Sequence, residues 1–343
     1  LGNVISVCCT VQTEGEKIKI GNGEPLFNVT IKKPIKKTEL ITSTSLALGE
    51  AYMRGDIELD KDLYYVLNLF LGNMAKFSTD EHALKGIIKT SVSKMNQKKE
   101  VSSHYDIGND FYKLWLDKSM TYSCAYFKDG NEDLDKAQED KVDHILDKLQ
   151  IEEGMSLLDI GCGWGALLIR AAKKYKIKGL GITLSSEQAK GFSETIKKEG
   201  LEDLLSVEIM DYRDLEKSGK KFDRIVSVGM IEHVGRKNYD LFIKNVHSVL
   251  NDGGLFLLHF ISALKEHPGD AWIKKYIFPG GMIPSLREII NILPDYNFYT
   301  LDVESLRRHY NKTLLCWRNN FNGHREEIEK MMGVEFTRMW DLY

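Results

Sequence analysis

Three glycines at alternating positions, Gly161, Gly163 and Gly165, stand where the apolar run LLDI gives way to the amphipathic ALLIRAAKKY. Small residues at a strand-to-helix turn let a ligand approach the backbone, and the helix N-terminus that follows offers free N–H groups. The spacing G-x-G-x-G departs from the dinucleotide fingerprint G-x-G-x-x-G, which weakens a nicotinamide reading and leaves a nucleotide-like cofactor. A second block, HYDIGNDFYKLWLDKSMTYSCAYF, gathers seven aromatic residues around Cys124. Ring faces stabilise cations by about 0.5–2 kcal/mol each, which suits a sulfonium cofactor or a cationic intermediate; the competing use of such rings is to fill a core. His259 at a strand end and Tyr310 also have structural alternatives. His, Cys and Glu together could suggest zinc, but no pair stands at i, i+3 or i+4 and no C-x-x-C occurs, so no metal is expected.

The string LLDIGCGWGALLIRAAKKY resembles the first motif of class I S-adenosylmethionine-dependent methyltransferases. That resemblance implies Asp159 near the amino-acid end of the cofactor, with ribose and adenine contacts in GITLSSEQ and DYRDL. Many such enzymes end the second strand on an acidic residue that holds the ribose; this chain has Thr183 and Leu184 there, with Gln188 the nearest candidate. The strings HYDIGND, SMTYSCAYF, LLDIGCGWG, GITLSSEQ, DYRDL, FDRIVSVGMIEHVG, LLHFI and KYIFPGG together resemble the cyclopropane-fatty-acid-phospholipid synthases, in consistent order from about His104 through Phe321. LGEAYMRGDIEL is similar to the N-terminal domain which that family adds to its methyltransferase core.

The resemblance implies a reaction in which the π electrons of a cis double bond in a phospholipid acyl chain attack the methyl group of S-adenosylmethionine. The resulting carbocation closes to cyclopropane after losing a proton. It further implies that the base is a bound bicarbonate held by Cys124, Glu232, His259 and Tyr310, with a backbone contact at Ile261. Glu232, as a carboxylate beside an anion, would share a proton or orient a neighbour. The implied cofactor contacts are Tyr122, Ser123, Asp159, Gly161, Cys162, Gly163, Gly165, Thr183, Leu184, Gln188, Asp211, Tyr212 and Arg213. Phe278, Pro279, Gly280, Gly281 and Met282 would line an acyl tunnel, with Trp317 and Phe321 closing its far side. A homodimer is also implied. A relative giving a methyl-branched or methylene product, or a non-catalytic lipid-binding relative, is the alternative.

These residues need a scaffold. From about residue 135, helix-like segments alternate with the strand candidates MSLLDI, KGLGIT, LSVEIM, FDRIVSVG and GLFLLHF, which predicts a parallel sheet. With the resemblance, the expected architecture is α/β: a Rossmann-like, seven-stranded, mostly parallel class I methyltransferase core (104–343), a small α+β lipid-engaging domain (1–90) and a basic linker (91–103). In the small domain GEKIKI and LFNVTIKK read as strands, LALGEAYMRGDIEL and DLYYVLNLFL as amphipathic helices. Five lysines without an acid between Lys85 and Lys99, and four in KKPIKK (Lys32 to Lys37), could dock on an anionic leaflet at about 1 kcal/mol each; the alternative is a solvated surface.

Among 343 residues, 47 Lys and Arg against 50 Asp and Glu give a net charge of -3, which leaves no global basic field for a nucleic acid. No apolar run approaches the roughly 18–20 residues of a membrane span. The expected setting is cytoplasmic, peripheral on the inner face of the membrane.

Overall fold

The computed structural model describes residues 7–70 and 107–343. The basic linker, the Lys85–Lys99 run and the first residues of the HYDIGND string lie outside them. The described chain forms two compact units. The first takes its part of Leu1–Thr90 together with Pro268–Pro279 and Arg325–Tyr343; the second takes its part of Ser91–His267 with Gly280–His324.

In the first unit, β1 (Cys9–Gln12), β2 (Lys17–Ile20), β3 (Asn28–Ile31) and β4 (Ile57–Leu59) form a mixed sheet in the order β2-β1-β3-β4. Helices α1 (Lys37–Thr42), α2 (Thr44–Met53) and α3 (Leu63–Phe70) accompany it. The segment LALGEAYMRGDIEL is therefore a helix followed by a strand, rather than one helix. Gly55 turns the chain at φ +76°, and Ile57 to Leu59 pair antiparallel with β3.

Two C-terminal stretches assigned to the catalytic domain pack with the N-terminal residues instead. Trp272 of α9 (Ala271–Tyr276) donates to Met53 Sδ at 3.2 Å and fills the space beside Gly49. Arg338 of α13 (Val334–Leu342), which follows α12 (Arg325–Met332), donates to the carbonyls of Tyr52 (2.5 Å) and Ile57 (2.9 Å). Its guanidinium lies 4.1 Å from the Tyr52 ring centroid. In the KKPIKK patch, Lys32, Lys33 and Lys36 each pair with an acid, Glu58, Asp56 and Glu39, so much of its positive charge is locally balanced.

The second unit begins with α4 (Asn109–Lys113) and α5 (Leu134–Lys148), the latter capped by Asp133, whose side chain accepts the Lys136 N–H. There follow β5 (Ser156–Ile160), α6 (Ala166–Tyr175), β6 (Lys178–Thr183), α7 (Ser186–Lys198), β7 (Leu205–Ile209), β8 (Phe222–Val228), α8 (Tyr239–Val249) and β9 (Leu250–His259). Helices α10 (Leu286–Ile292) and α11 (Arg307–Gly323) complete it. The strands form one all-parallel sheet in the order β7-β6-β5-β8-β9. All five strand candidates are strands. Among the described residues the sheet has five strands rather than the expected seven: residues 298–306 form no strand, and Glu304 is held by His144 (2.7 Å).

Each sheet face buries its own core. On one, Val142, Leu146, Leu168, Phe192 and Ile196 pack against Leu157 and Val226; on the other, Phe242, Ile243, Val246 and Ile289 pack against Leu158, Ile160 and Ile225. Strands covered on both faces read as apolar runs, which makes the central β5 and β6 legible, while the edge strand β7, LSVEI, keeps polar and exposed positions. The chain winds outward from β5 to β7 and returns to β8. The crevice between the carboxyl ends of β5 and β8 is the switch point where such sheets take ligands.

Candidate active site

A cleft opens at that switch point. Its floor is the β5–α6 turn. Gly161, Gly163 and Gly165 all adopt positive φ (+85°, +56° and +86°), a conformation that disfavours side chains. Their surroundings differ: a Cβ on Gly161 would meet Met230 at 2.8 Å, one on Gly165 would enter the Phe192 ring, and one on Gly163 would meet nothing within 4 Å. Only Gly161 and Gly163 of the three line the cleft.

Of the expected cofactor contacts, Tyr122, Ser123, Asp159, Gly161, Cys162, Gly163, Thr183, Leu184, Gln188 and Tyr212 line the cleft. Gly165 does not; it caps α6 in left-handed geometry. Asp211 and Arg213 do not either. Arg213 closes on the Asp211 carboxylate through Nε (2.8 Å), Nη2 (2.5 Å) and its own backbone N–H (2.9 Å), a pair that anchors the turn carrying Tyr212. Thr183 donates to Gln188 Oε1 at 2.8 Å, so the β6 end is organised by a neutral pair. Asp159 Oδ1 and the Tyr212 hydroxyl are buried without a hydrogen-bond partner. A buried carboxylate oxygen and hydroxyl facing a glycine-floored cleft fit a ligand with amino and hydroxyl groups. Burial raises the Asp159 pKa to about 7, opposed by the charge of Lys141.

None of the five expected bicarbonate contacts lines this cleft; they form two local pairs plus His259. The single S–H of Cys124 has two carbonyls as acceptors, Ala125 (3.3 Å) and Leu306 (3.8 Å), and the Leu306 carbonyl also takes the Tyr310 backbone N–H at 2.9 Å. Glu232 Oε1 accepts the Ile261 N–H at 2.7 Å. The Ile261 amide therefore orients the carboxylate here. His259 closes β9, and its carbonyl accepts the Gly229 N–H at 2.9 Å. Glu232 Oε2 and His259 Nδ1 are buried without partners.

Desolvation sets the charge of these groups. It pushes the Cys124 thiol up to about 11 and Glu232 up to about 7, and holds His259 down to about 4. At neutral pH the site thus offers a protonated thiol, a neutral imidazole and a carboxyl group near its midpoint. Such donors fit a small oxyanion. His233, set aside in the sequence because it follows Glu232, lines the cofactor cleft and is also held at about 4 by burial.

A residue outside the expected set links these parts. Lys141 lines the cleft with 4% of its surface exposed, and its Nζ donates to Ser123 Oγ at 2.8 Å. Beside it on α5, Gln138 donates to the carbonyls of Ser123 (2.9 Å) and Thr121 (3.3 Å). Both sit on the helix face that buries Leu134, Ala137, Val142 and Ile145, and two polar letters on an apolar stripe were the signal available in the sequence. The rings of Tyr122 and Trp164, which line the cleft, and of the buried Tyr112, Trp115 and Trp317 form a chain of contacts with centroids 5.2–5.7 Å apart, continued by Tyr310 at 6.1 Å from Trp317. The expected tunnel segment Phe278 to Met282 spans the division between the two units and does not line this cleft.

Residues 92–343 match the family described as mycolic acid cyclopropane synthetase, and residues 1–82 match a domain family of unknown function. A probable fatty acid methyltransferase of Pseudomonas putida is 37% identical over 337 residues, covering 96% of this chain and 84% of that protein. The cyclopropane-fatty-acyl-phospholipid synthase of Escherichia coli strain K12 is 37% identical over 333 residues, covering 94% and 84%. A solved mycolic acid cyclopropane synthase complexed with SAH and CTAB matches with a TM-score of 0.67 at 33% identity, over 72% of this chain and 90% of that one.

Proposed function

The chain belongs to the mycolic acid cyclopropane synthetase family, its second unit a class I methyltransferase fold, and from that premise we propose that it makes cyclopropane fatty acids on phospholipids. The one-carbon unit comes from S-adenosylmethionine and goes to a cis double bond of an unsaturated acyl chain, with bound bicarbonate as the base. The observation that carries this proposal is the pair of unpartnered buried polar sets: Asp159 Oδ1 with the Tyr212 hydroxyl, and Glu232 Oε2 with His259 Nδ1.

When bound, the cofactor supplies an electrophilic methyl group on a sulfonium. The chain's own tasks follow from the charge that develops on the acyl carbon. An alkene needs no prior deprotonation, so no strong base is required at the attacking atom. Tyr122 and Trp164, the two rings of the aromatic chain that line the cleft, would present apolar surface to the cofactor and attract positive charge. The Cys124 thiol and neutral His259 offer hydrogen bonds to the base anion, Tyr310 contributes its hydroxyl, and Glu232, tied to the Ile261 amide, orients the set. The proton leaves the methyl-derived carbon for the base as the ring closes. The proposal includes peripheral contact with the inner face of the membrane and a homodimer. The family resemblance supports both, and the Lys85–Lys99 run supports the former.

The name of the Pseudomonas relative favours a second product class, a methyl-branched or methylene chain from the same cation. Purified protein with S-adenosylmethionine and vesicles of cis-unsaturated phospholipid separates them by mass spectrometry of the acyl chains. A gain of CH₂ with loss of alkene reactivity and no change in hydrogen count beyond CH₂ supports the cyclopropane. Retained alkene indicates the methylene product, and a saturated branched chain the reductive one. No transfer despite SAH binding refutes catalysis.

A further inference from the structure

Residues 121–127 lie outside the helices and strands, and they carry Tyr122 and Ser123 of the cofactor cleft together with Cys124. Neighbouring elements hold their backbone. Gln138 of α5 donates to the carbonyls of Thr121 and Ser123, and the Ala137 carbonyl accepts the Tyr126 N–H at 3.0 Å. The alternate N–H groups turn to α11 instead. Ala125 donates to Thr313 Oγ1 and Phe127 donates to His309 Nδ1, each at 3.0 Å. His309 and Thr313 stand one turn apart on one helix face, so two side chains of α11 act as the edge on which this strip is seated. The same helix carries Tyr310.

These acceptors differ in one respect. The Ala137 carbonyl and the Thr313 hydroxyl accept throughout the range around neutrality. An imidazole accepts at Nδ1 only while that nitrogen is unprotonated; a proton there makes it a donor facing the Phe127 N–H. Ala125 and Phe127 are buried, so an amide that loses its acceptor there is left without water. Tyr126 stacks with the His309 ring (4.8 Å, 12°) and with His144 of α5 (4.2 Å, 7°), which bonds Glu304 at 2.7 Å. Glu304 and Glu132 favour the protonated His309, Lys312 and His144 oppose it, and burial, the largest influence, lowers its pKa.

We propose that His309 is a positioning residue acting as an acid-released latch: neutral, it fastens the strip bearing Ser123 and Cys124 to the helix bearing Tyr310, and protonated it lets the strip go. The catalytic consequence rests on the reading of Cys124 and Tyr310 given above; the latch itself does not.

Amide exchange in the full chain tests it, followed by mass spectrometry of peptides spanning residues 125–127 at about pH 7.5 and about pH 5, with the intrinsic pH dependence of exchange divided out. In wild type, exchange should be roughly fivefold or more faster at the lower pH, the factor that follows from losing one such bond. His309→Asn, whose Oδ1 accepts in place of Nδ1 and does not titrate, should change by less than about twofold. His144, Glu232 and Asp159 are present in both proteins, so the difference between the two reports His309. His309→Leu should exchange fast at both pH values. Its turnover on unsaturated phospholipid vesicles at about pH 7.5 should fall about tenfold, with His309→Asn restoring most of it. Unchanged exchange in the β5 peptide reports that a variant is folded, and the wild-type and His309→Asn comparison decides even where His309→Leu is not. Equal acid acceleration in wild type and His309→Asn, or none in wild type, overturns the latch. Wild-type turnover in folded His309→Leu overturns the positioning role. Absence of turnover in wild type refutes the function proposed above, and exchange still decides the latch.

Discussion

Two glycines of one loop should fail in opposite ways. Replacing Gly165 by alanine places a Cβ 2.5 Å from Cγ of Phe192 and closer still to two other ring carbons, in a ring that is fully buried. Alanine at φ +86° also adopts left-handed geometry. That conformation costs about 1–2 kcal/mol, and overpacking a well-filled core adds about 1–3 kcal/mol. The expected loss is therefore about 2–5 kcal/mol, or roughly 5–20 °C in melting temperature at about 2–4 °C per kcal/mol for a unit of this size. Gly163→Ala incurs the backbone cost alone, because nothing lies within 4 Å of the new methyl. The open space it enters is the cleft, so SAH affinity should fall about tenfold or more, equivalent to about 1.4 kcal/mol. Thermal unfolding with and without SAH, together with calorimetry, measures both quantities. The reasoning is refuted if Gly163→Ala destabilises as much as Gly165→Ala, or if it leaves SAH affinity within about twofold of wild type.

Burial lowers the His259 pKa to about 4, so the folded state binds a proton less readily than the unfolded chain, and wild type loses stability as pH falls from about 6.5 to about 4. His259→Gln should lose about 2–3 kcal/mol less across that window, measured by urea unfolding at both ends. Thr313→Val removes the acceptor of the Ala125 N–H (3.0 Å), leaving that buried donor unpaired at about 1–3 kcal/mol. Turnover should fall as Cys124 shifts, while calorimetry finds SAH affinity within about threefold of wild type. Arg338→Ala strands the Tyr52 and Ile57 carbonyls and should destabilise the first unit by about 2–4 kcal/mol, seen as an earlier calorimetric transition with SAH affinity unchanged.

The second unit was legible because burial on both faces writes a parallel strand as an unbroken apolar run, and because a glycine turn is marked by its residue type. What could not be read depended on partners far along the chain. IEL has a helical neighbour and became a strand only because β3 offers it a ladder. The stretches 268–279 and 325–343 follow core-like sequence, yet Trp272 and Arg338 find their partners on α2 and the turn after it. At the site, type and order identified ten of the residues that line the cleft, the glycine turn among them. Asp211 and Arg213 were expected to face a ligand, but two residues of spacing let them satisfy one another. Lys141 escaped notice because a lysine on a helix is ordinarily solvated; its place on the Leu134–Val142–Ile145 stripe is what marks it.

The charge states of the site bear on what the enzyme must prevent. A proton next to a carbocation is acidic enough that a weak base removes it, so the proposed reaction demands placement of the base more than strength. What competes is capture of the cation, or of the methyl group, by a better nucleophile. Thiolate is the most reactive candidate on the chain, and Cys124 lies within the proposed site. Burial holds it protonated to about 11, and its S–H has the Ala125 and Leu306 carbonyls as acceptors, so it acts as a hydrogen-bond donor. Water is the other competitor, and the proposed reaction requires the site to exclude it. Glu232 near its midpoint at neutral pH, with one oxygen fixed by the Ile261 amide, is a weaker trap than a free carboxylate. Desolvation therefore serves the proposed chemistry twice: it sharpens the ring–cation attraction, and it keeps the Cys124 thiol protonated.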